Sequence, residues 1–178
     1  LRRRGRGVAG ARAKLVRRAL AGALIASLAV AVPSLAAGGQ VNVSALLAPE
    51  IARAKTGKVA VLLPSSIRND VSSRLYGSAS VTAEGYDIAL AYAPRCDDST
   101  ACFFADFQAG PGKLAFATRV ALAHGIGGAY KGISCGASCA PANIEWEQHG
   151  VLYSVQYVLG SKASMIALAD SAIEAGPR

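Results

Sequence analysis

Gly132-Ile133-Ser134-Cys135-Gly136 has the G-x-S-x-G spacing of a nucleophile elbow, the turn that exposes a serine hydroxyl for acyl transfer. Upstream, His124-Gly125-Ile126-Gly127-Gly128 could supply backbone amides for an oxyanion, and Glu145, Glu147 and His149 follow in acid-then-histidine order. The elements that must position these groups argue against that chemistry. An elbow needs a strand before the serine and a helix after it, on a parallel sheet. Here Pro141 and a loop closed by Cys135 and Cys139 follow Ser134, and then a strand. The Gly-rich segment lies too close in sequence to belong to a separate strand-to-helix loop. Glu145, Glu147 and His149 alternate on one strand face, so neither acid can stand behind the histidine as seen from Ser134. The chain is therefore read as non-enzymatic, with a small secreted serine hydrolase using Ser134 as the alternative.

Other chemistry-bearing residues are sparse. His124 and His149 are the only histidines, and no H-E-x-x-H is present, so a His-rich metal site is excluded. Both read as surface or turn residues. Asp97-Asp98 could contribute to calcium binding, but calcium takes roughly six or more oxygens and this loop supplies few, so it reads as a solvated turn. Glu145 and Glu147 could act as an acid–base pair; they read as part of a polar sheet face. No cofactor or metal is expected. Four cysteines allow three pairings; Cys96–Cys102 and Cys135–Cys139 are favoured, because each pair is close in sequence and brackets a loop. A C-x5-C and a C-x3-C do not make a standard zinc spacing.

The ends of the chain govern the charge argument. Residues 1–36 carry eight Arg or Lys and no acid, then an apolar run with Pro33 near its end, then Ser34-Leu35-Ala36. A basic head, an apolar run and a small-x-small exit predict a secretory signal peptide. Of 19 basic and 11 acidic residues, residues 37–178 retain 11 of each sign. Their basic residues are spread thinly, so nucleic acid is not an expected partner. Contact with a membrane is expected only through residues 1–36, if they are retained. Residues 37–178 suffice for one exported domain, secreted or held at the periplasm or cell envelope, and disulfides fit that setting.

Apolar periodicity predicts the elements. Ser44 is a candidate cap for an early turn, Pro49 opens a helix over 49–56, and residues 58–63 read as a short apolar strand. Residues 65–73 read as irregular. Residues 74–83 and 86–93 form a hairpin, with Leu75, Ala79 and Val81 opposite Tyr76, Ser78 and Ser80, and Tyr86, Ile88, Leu90 and Tyr92 on one face. Over 102–109, Phe103, Ala105 and Phe107 face one way and Phe104, Asp106 and Gln108 the other. Residues 113–123 fit strands or a short helix, with strands preferred, and 129–133 are a strand. Residues 143–158 form a second hairpin bent at Gly150. Ser161 caps a helix over 161–175, with Ala163, Ile166, Ala169, Ala172 and Ile173 as its stripe and Met165 and Leu168 broadening it. The fold class is α+β: an antiparallel sheet with an N-terminal and a C-terminal helix and two short disulfide-closed loops.

Ile144-x-Trp146-x-x-x-Gly150-x-x-Tyr153, followed by a helix containing Leu168-Ala169-Asp170-Ser171-Ala172-Ile173, resembles the end of exported bacterial domains of unknown function. Some of these are akin to the half-barrels of lipoprotein carriers and anti-sigma-factor partners. The resemblance covers about thirty residues. It implies an antiparallel sheet, an envelope location and a structural role for the strand pair and last helix, and it carries over no functional residue. The expected function is binding of an envelope partner protein or an apolar ligand; a purely structural envelope module is the further alternative. A binding surface is expected on the sheet's other face or at the two stapled loops.

Overall fold

A computed structural model describes residues 39–96 and 100–178. The predicted signal segment and Asp97-Asp98 lie outside the described residues. The sheet is antiparallel throughout. In chain order come β1 (Gly39–Asn42), α1 (Val43–Leu46), α2 (Ala48–Ala54), β2 (Ser66–Asn69), β3 (Tyr76–Val81), β4 (Tyr86–Ala91) and β5 (Phe103–Gly110). Then follow β6 (Thr118–Ala121), β7 (Gly127–Lys131), β8 (Ser134–Cys135), β9 (Cys139–Ala140), β10 (Ala142–Gln148), β11 (Val151–Tyr157) and α3 (Lys162–Ala175). Seven strands make one sheet in the order β3-β4-β5-β11-β10-β7-β6, while β1 pairs with β2 and β8 with β9. The α+β class, the helices toward both ends and both disulfides, Cys96–Cys102 and Cys135–Cys139, are as predicted.

Strand alternation sorts the sheet into two faces. One row of paired residues runs Ala79, Ile88, Phe107, Val155, Ile144 and Tyr130. The neighbouring row runs Val81, Tyr86, Ala109, Tyr153, Trp146 and Gly128. Most of these side chains are buried in the core, together with residues of α1, α2 and α3. Trp146 stacks on its cross-strand partner Tyr153, with centroids 5.5 Å apart. The helix α2 packs against β3, and it comes so close at Gly77 that a Cβ there would lie 2.9 Å from Glu50 Cδ and 2.6 Å from Cδ2 of Leu47, the residue before the helix. The helix α3 packs against β10 and β11. Its Ser161 cap accepts from the Ser164 amide and Ser164 answers with its own hydroxyl, a reciprocal pair that satisfies two otherwise orphan amides. No helix among the described residues is long and apolar enough to cross a membrane.

Several local expectations are corrected. Residues 58–63 form no ladder, although Val61, Leu62 and Leu63 are buried. Tyrosines bind their backbone instead: Tyr86 Oη donates to the Leu62 carbonyl and accepts from the Leu62 amide, both at 3.1 Å, and Tyr153 Oη donates to the Ala60 carbonyl at 3.2 Å. Residues 65–73 are not all irregular, because β2 pairs with the equally polar β1. Asn42, not Ser44, caps α1 by accepting from the Ala45 amide, and Ser44 Oγ is buried without a partner. The second helix begins at Ala48 and ends at Ala54. Residues 113–117 form no strand; β6 starts at Thr118, and a 3-10 turn follows at Ala123–Gly125. The buried stripe of α3 is Met165, Leu168, Ala169, Ala172 and Ile173, while Ala163 is exposed.

The strand β5 holds the correction that matters most for the open face. A register shift opposite Leu90 and Ala91 pairs Leu90 with Ala105 but Ala91 with Phe103. Phe104 is the extra residue of this bulge, and a bulge locally reverses which way side chains point. Phe104 therefore joins the core against Tyr157, with ring centroids 5.5 Å apart, instead of sharing a face with Asp106 and Gln108, and Phe103 turns to the open face beside Ala91 instead of sharing a face with Ala105 and Phe107.

Candidate binding site

The helix-covered face is packed shut. Its centre carries Ile88, Phe107, Val155, Ile144 and Trp146, all between 0% and 1% exposed. The cavity lies on the opposite face. After β5 the chain must reach β6 at the far edge, and residues 111–117 make that crossing over β11, β10 and β7. Glu145 Oε2 anchors the crossing by accepting from the Ala115 amide at 2.9 Å, and Lys131 Nζ lies 5.9 Å from the centre of the Phe116 ring. The crossing leaves the other half of this face, over β3, β4 and β5, uncovered by it.

Three rows of paired side chains form the floor there: Ser80, Asp87 and Gln108; Ser78, Ala89 and Asp106; Tyr76, Ala91 and Phe103. Rows in a sheet stand about 7 Å apart and strands about 5 Å. The small side chains of Ala89 and Ala91 set the floor low between larger neighbours on β3 and β5. The result is a cavity of about 590 Å³ whose lining includes Asp87, Ala89, Asp106 and Gln156 on the sheet. Its walls include Arg95, Cys96 and Thr100 of one stapled loop and Cys139 and Pro141 of the other. A second hollow of about 490 Å³ continues toward the β3–β4 turn and shares Asp87 and Gln108 with the first.

Asp106 is the distinctive group of this surface. It is only 6% exposed, and its Oδ1 has no well-formed hydrogen bond. The amide nitrogen of Gln108 donates to Asp106 Oδ2 at 2.6 Å and to Asp87 Oδ2 at 3.0 Å, so one side chain ties the two carboxyls together. Burial pushes the Asp106 carboxyl up to about 8; the charge of Asp87 and a carboxyl–carboxyl hydrogen bond act in the same direction. Near neutrality Asp106 keeps its proton, because ionising it would bury a charge beside Asp87. Such a pair can release that proton or accept a cation in its place.

The residues of the elbow pattern are not brought together. Ser134 lies in an exposed two-residue strand beyond Lys131, which pairs with Asn143 at the start of β10. His149 follows the other end of β10, about 17 Å further along the sheet by strand rise. His124 sits in the turn before β7, also at that far end. Both histidines have positive φ, 56° and 54°, and each precedes a glycine with positive φ, so both serve turns. Gln148 pairs with Val151, which makes His149-Gly150 the two-residue loop of a tight hairpin. Glu145 is buried and Glu147 exposed, so they are not an acid–base pair in one setting. Among the described residues no three Asp, Glu, His or Cys side chains cluster as metal ligands.

The open face and the stapled loops are the surfaces where sequence reasoning expected binding. It did not single out Asp106, Asp87 and Gln108. Alternation placed Asp106 and Gln108 away from Phe107, but the pairing that puts them beside Asp87 is a property of register. Comparison of the chain with protein-family models, curated proteins and solved structures found no match.

Proposed function

We propose that this chain is an exported binding domain, without enzymatic activity, whose site is the uncovered half of the sheet. The observation that carries this reading is the cavity of about 590 Å³, floored by polar strand residues and walled by both disulfide loops. Its size falls in the range typical of small-molecule sites, about 300–1,000 Å³. The two disulfides are consistent with an oxidising, exported compartment, and residues 1–36 have the make-up of a secretory signal. The expected occupant is a small ligand rather than a purely apolar one, since the tightly packed helix-covered face leaves the polar, uncovered face to receive it. An envelope protein presenting such a group would use the same surface.

A fragment library followed by backbone amide shifts tests the reading. Binding fragments should move the amides of Ala89, Ala91, Asp106 and Gln156. Fragments that bind only elsewhere, or none that bind, would contradict it. Ser134→Ala should leave any esterase activity of the preparation unchanged; its disappearance would restore the hydrolase reading.

A further inference from the structure

The geometry points to an organic cation, an amine or guanidinium on a small apolar body, as the ligand of this cavity, its charged head seated between Asp106 and Asp87. The inference rests on the open-face cavity being the binding site. A buried acceptor without a hydrogen-bond partner is costly, so a ligand N–H meeting Asp106 Oδ1 recovers interaction the protein alone does not make. Gln108 holds the two carboxyls as a unit and adds no charge. Beside them, Ala89 and Ala91 offer a shallow apolar floor, Ala91 between Tyr76 and Phe103, and aromatic flanks favour a cation. Arg74 already places its guanidinium 5.3 Å from the Tyr76 ring centre on this part of the surface.

Charge decides against the other candidates. The charged groups among the described lining residues are Asp87 from β4, Asp106 from β5 and Arg95 from the exposed loop between them; Gln108 and, from β11, Gln156 are neutral. The floor is therefore acidic, which disfavours an anion at depth. A hard divalent ion needs roughly six oxygens, and two carboxyls with one shared amide fall short. Binding conserves charge simply: below about pH 8 the ammonium takes the place of the Asp106 proton, which is released to solvent, and above it the ammonium meets a carboxylate already ionised.

The test uses phenethylammonium and its neutral isostere 2-phenylethanol, titrated into the purified protein and followed by backbone amide shifts. The pH is set at about 8.5, where Asp106 is largely ionised and the amine still charged. The amine should move the amides of Ala89, Ala91 and Asp106 and bind at least about tenfold tighter than the alcohol. Asp106→Asn should erase that preference while the alcohol still reaches the same amides, and Asp87→Asn should weaken it. Equal binding of both probes, or a preference that survives both substitutions, would overturn the cation and leave the cavity as the site. Failure of both probes to move any open-face amide would overturn both.

Discussion

The hydroxyl of Tyr86 closes a two-way hydrogen bond with the backbone of Leu62, accepting from its amide and donating to its carbonyl at 3.1 Å each. One side chain on β4 thereby does for residues 58–63 what a neighbouring strand would otherwise do. Tyr86→Phe keeps the ring in the core and strips both partners, leaving a buried N–H and C=O unpaired. The cost should be about 1–3 kcal/mol, with the slope of urea unfolding unchanged. A change under about 0.5 kcal/mol would mean that water or backbone shifts replace the bonds.

Asp106 makes stability depend on pH in the direction opposite to a salt-bridged carboxylate. Its carboxyl titrates at about 8 in the folded protein against 3.8 as the ordinary value. Between those values the folded state binds more protons than the unfolded one, so stability falls as pH rises through that window. The penalty is absent below it and complete above about pH 8. Asp106→Asn removes the titration. Its gain over the wild type should grow from near zero at about pH 4 to the order of 5 kcal/mol above about pH 8. Urea unfolding at three pH values reads this directly, and parallel curves for the two proteins would contradict it.

The disulfides close loops with sequence separations of only 6 and 4. In the chain-entropy model each contributes about 2 kcal/mol. Cys96 and Cys139 both line the cavity, so the larger effect should fall on binding. Replacing either pair by serine should preserve the far-ultraviolet spectrum of the sheet, cost about 2 kcal/mol or less, and weaken fragment binding on the open face. Unaltered fragment affinities in both variants would show that the loops do not shape the site.

Legibility in the sequence followed burial. Strands buried on one face announce themselves by alternation, as in Tyr86, Ile88 and Leu90 or Ile144 and Trp146, and the last helix is marked by Ser161 and Gly176. The pair β1–β2 is polar and joins segments about 25 residues apart in sequence, so no local pattern marks it. Residues 58–63 carry the apolar signal of a strand, yet nothing in their own composition says that tyrosine hydroxyls take the place of a ladder. Phe103 and Phe104 both fall on the face opposite to the one alternation predicts, because the bulge inserts one extra residue into the strand. The site depends on three strands in register. Asp87 and Asp106 are 19 positions apart, and the diagonal that makes them neighbours exists only once Ala89 pairs with Asp106. Their meeting was therefore hidden, although the small residues Ala89 and Ala91, set between Ile88, Leu90 and the disulfide loop, marked a shallow place on the outer face.

The central claim is that the uncovered half of the sheet is a binding site. Ala89→Leu tests it most directly, because Ala89 sits at the middle of the cavity floor and the added bulk projects into the cavity rather than the core. The measurement is the affinity of open-face fragment hits for wild type and variant, with thermal unfolding as a control for the fold. The account predicts that the hits lose at least about tenfold in affinity while the midpoint moves by only a few degrees. Hits that bind the variant as tightly as the wild type would contradict it.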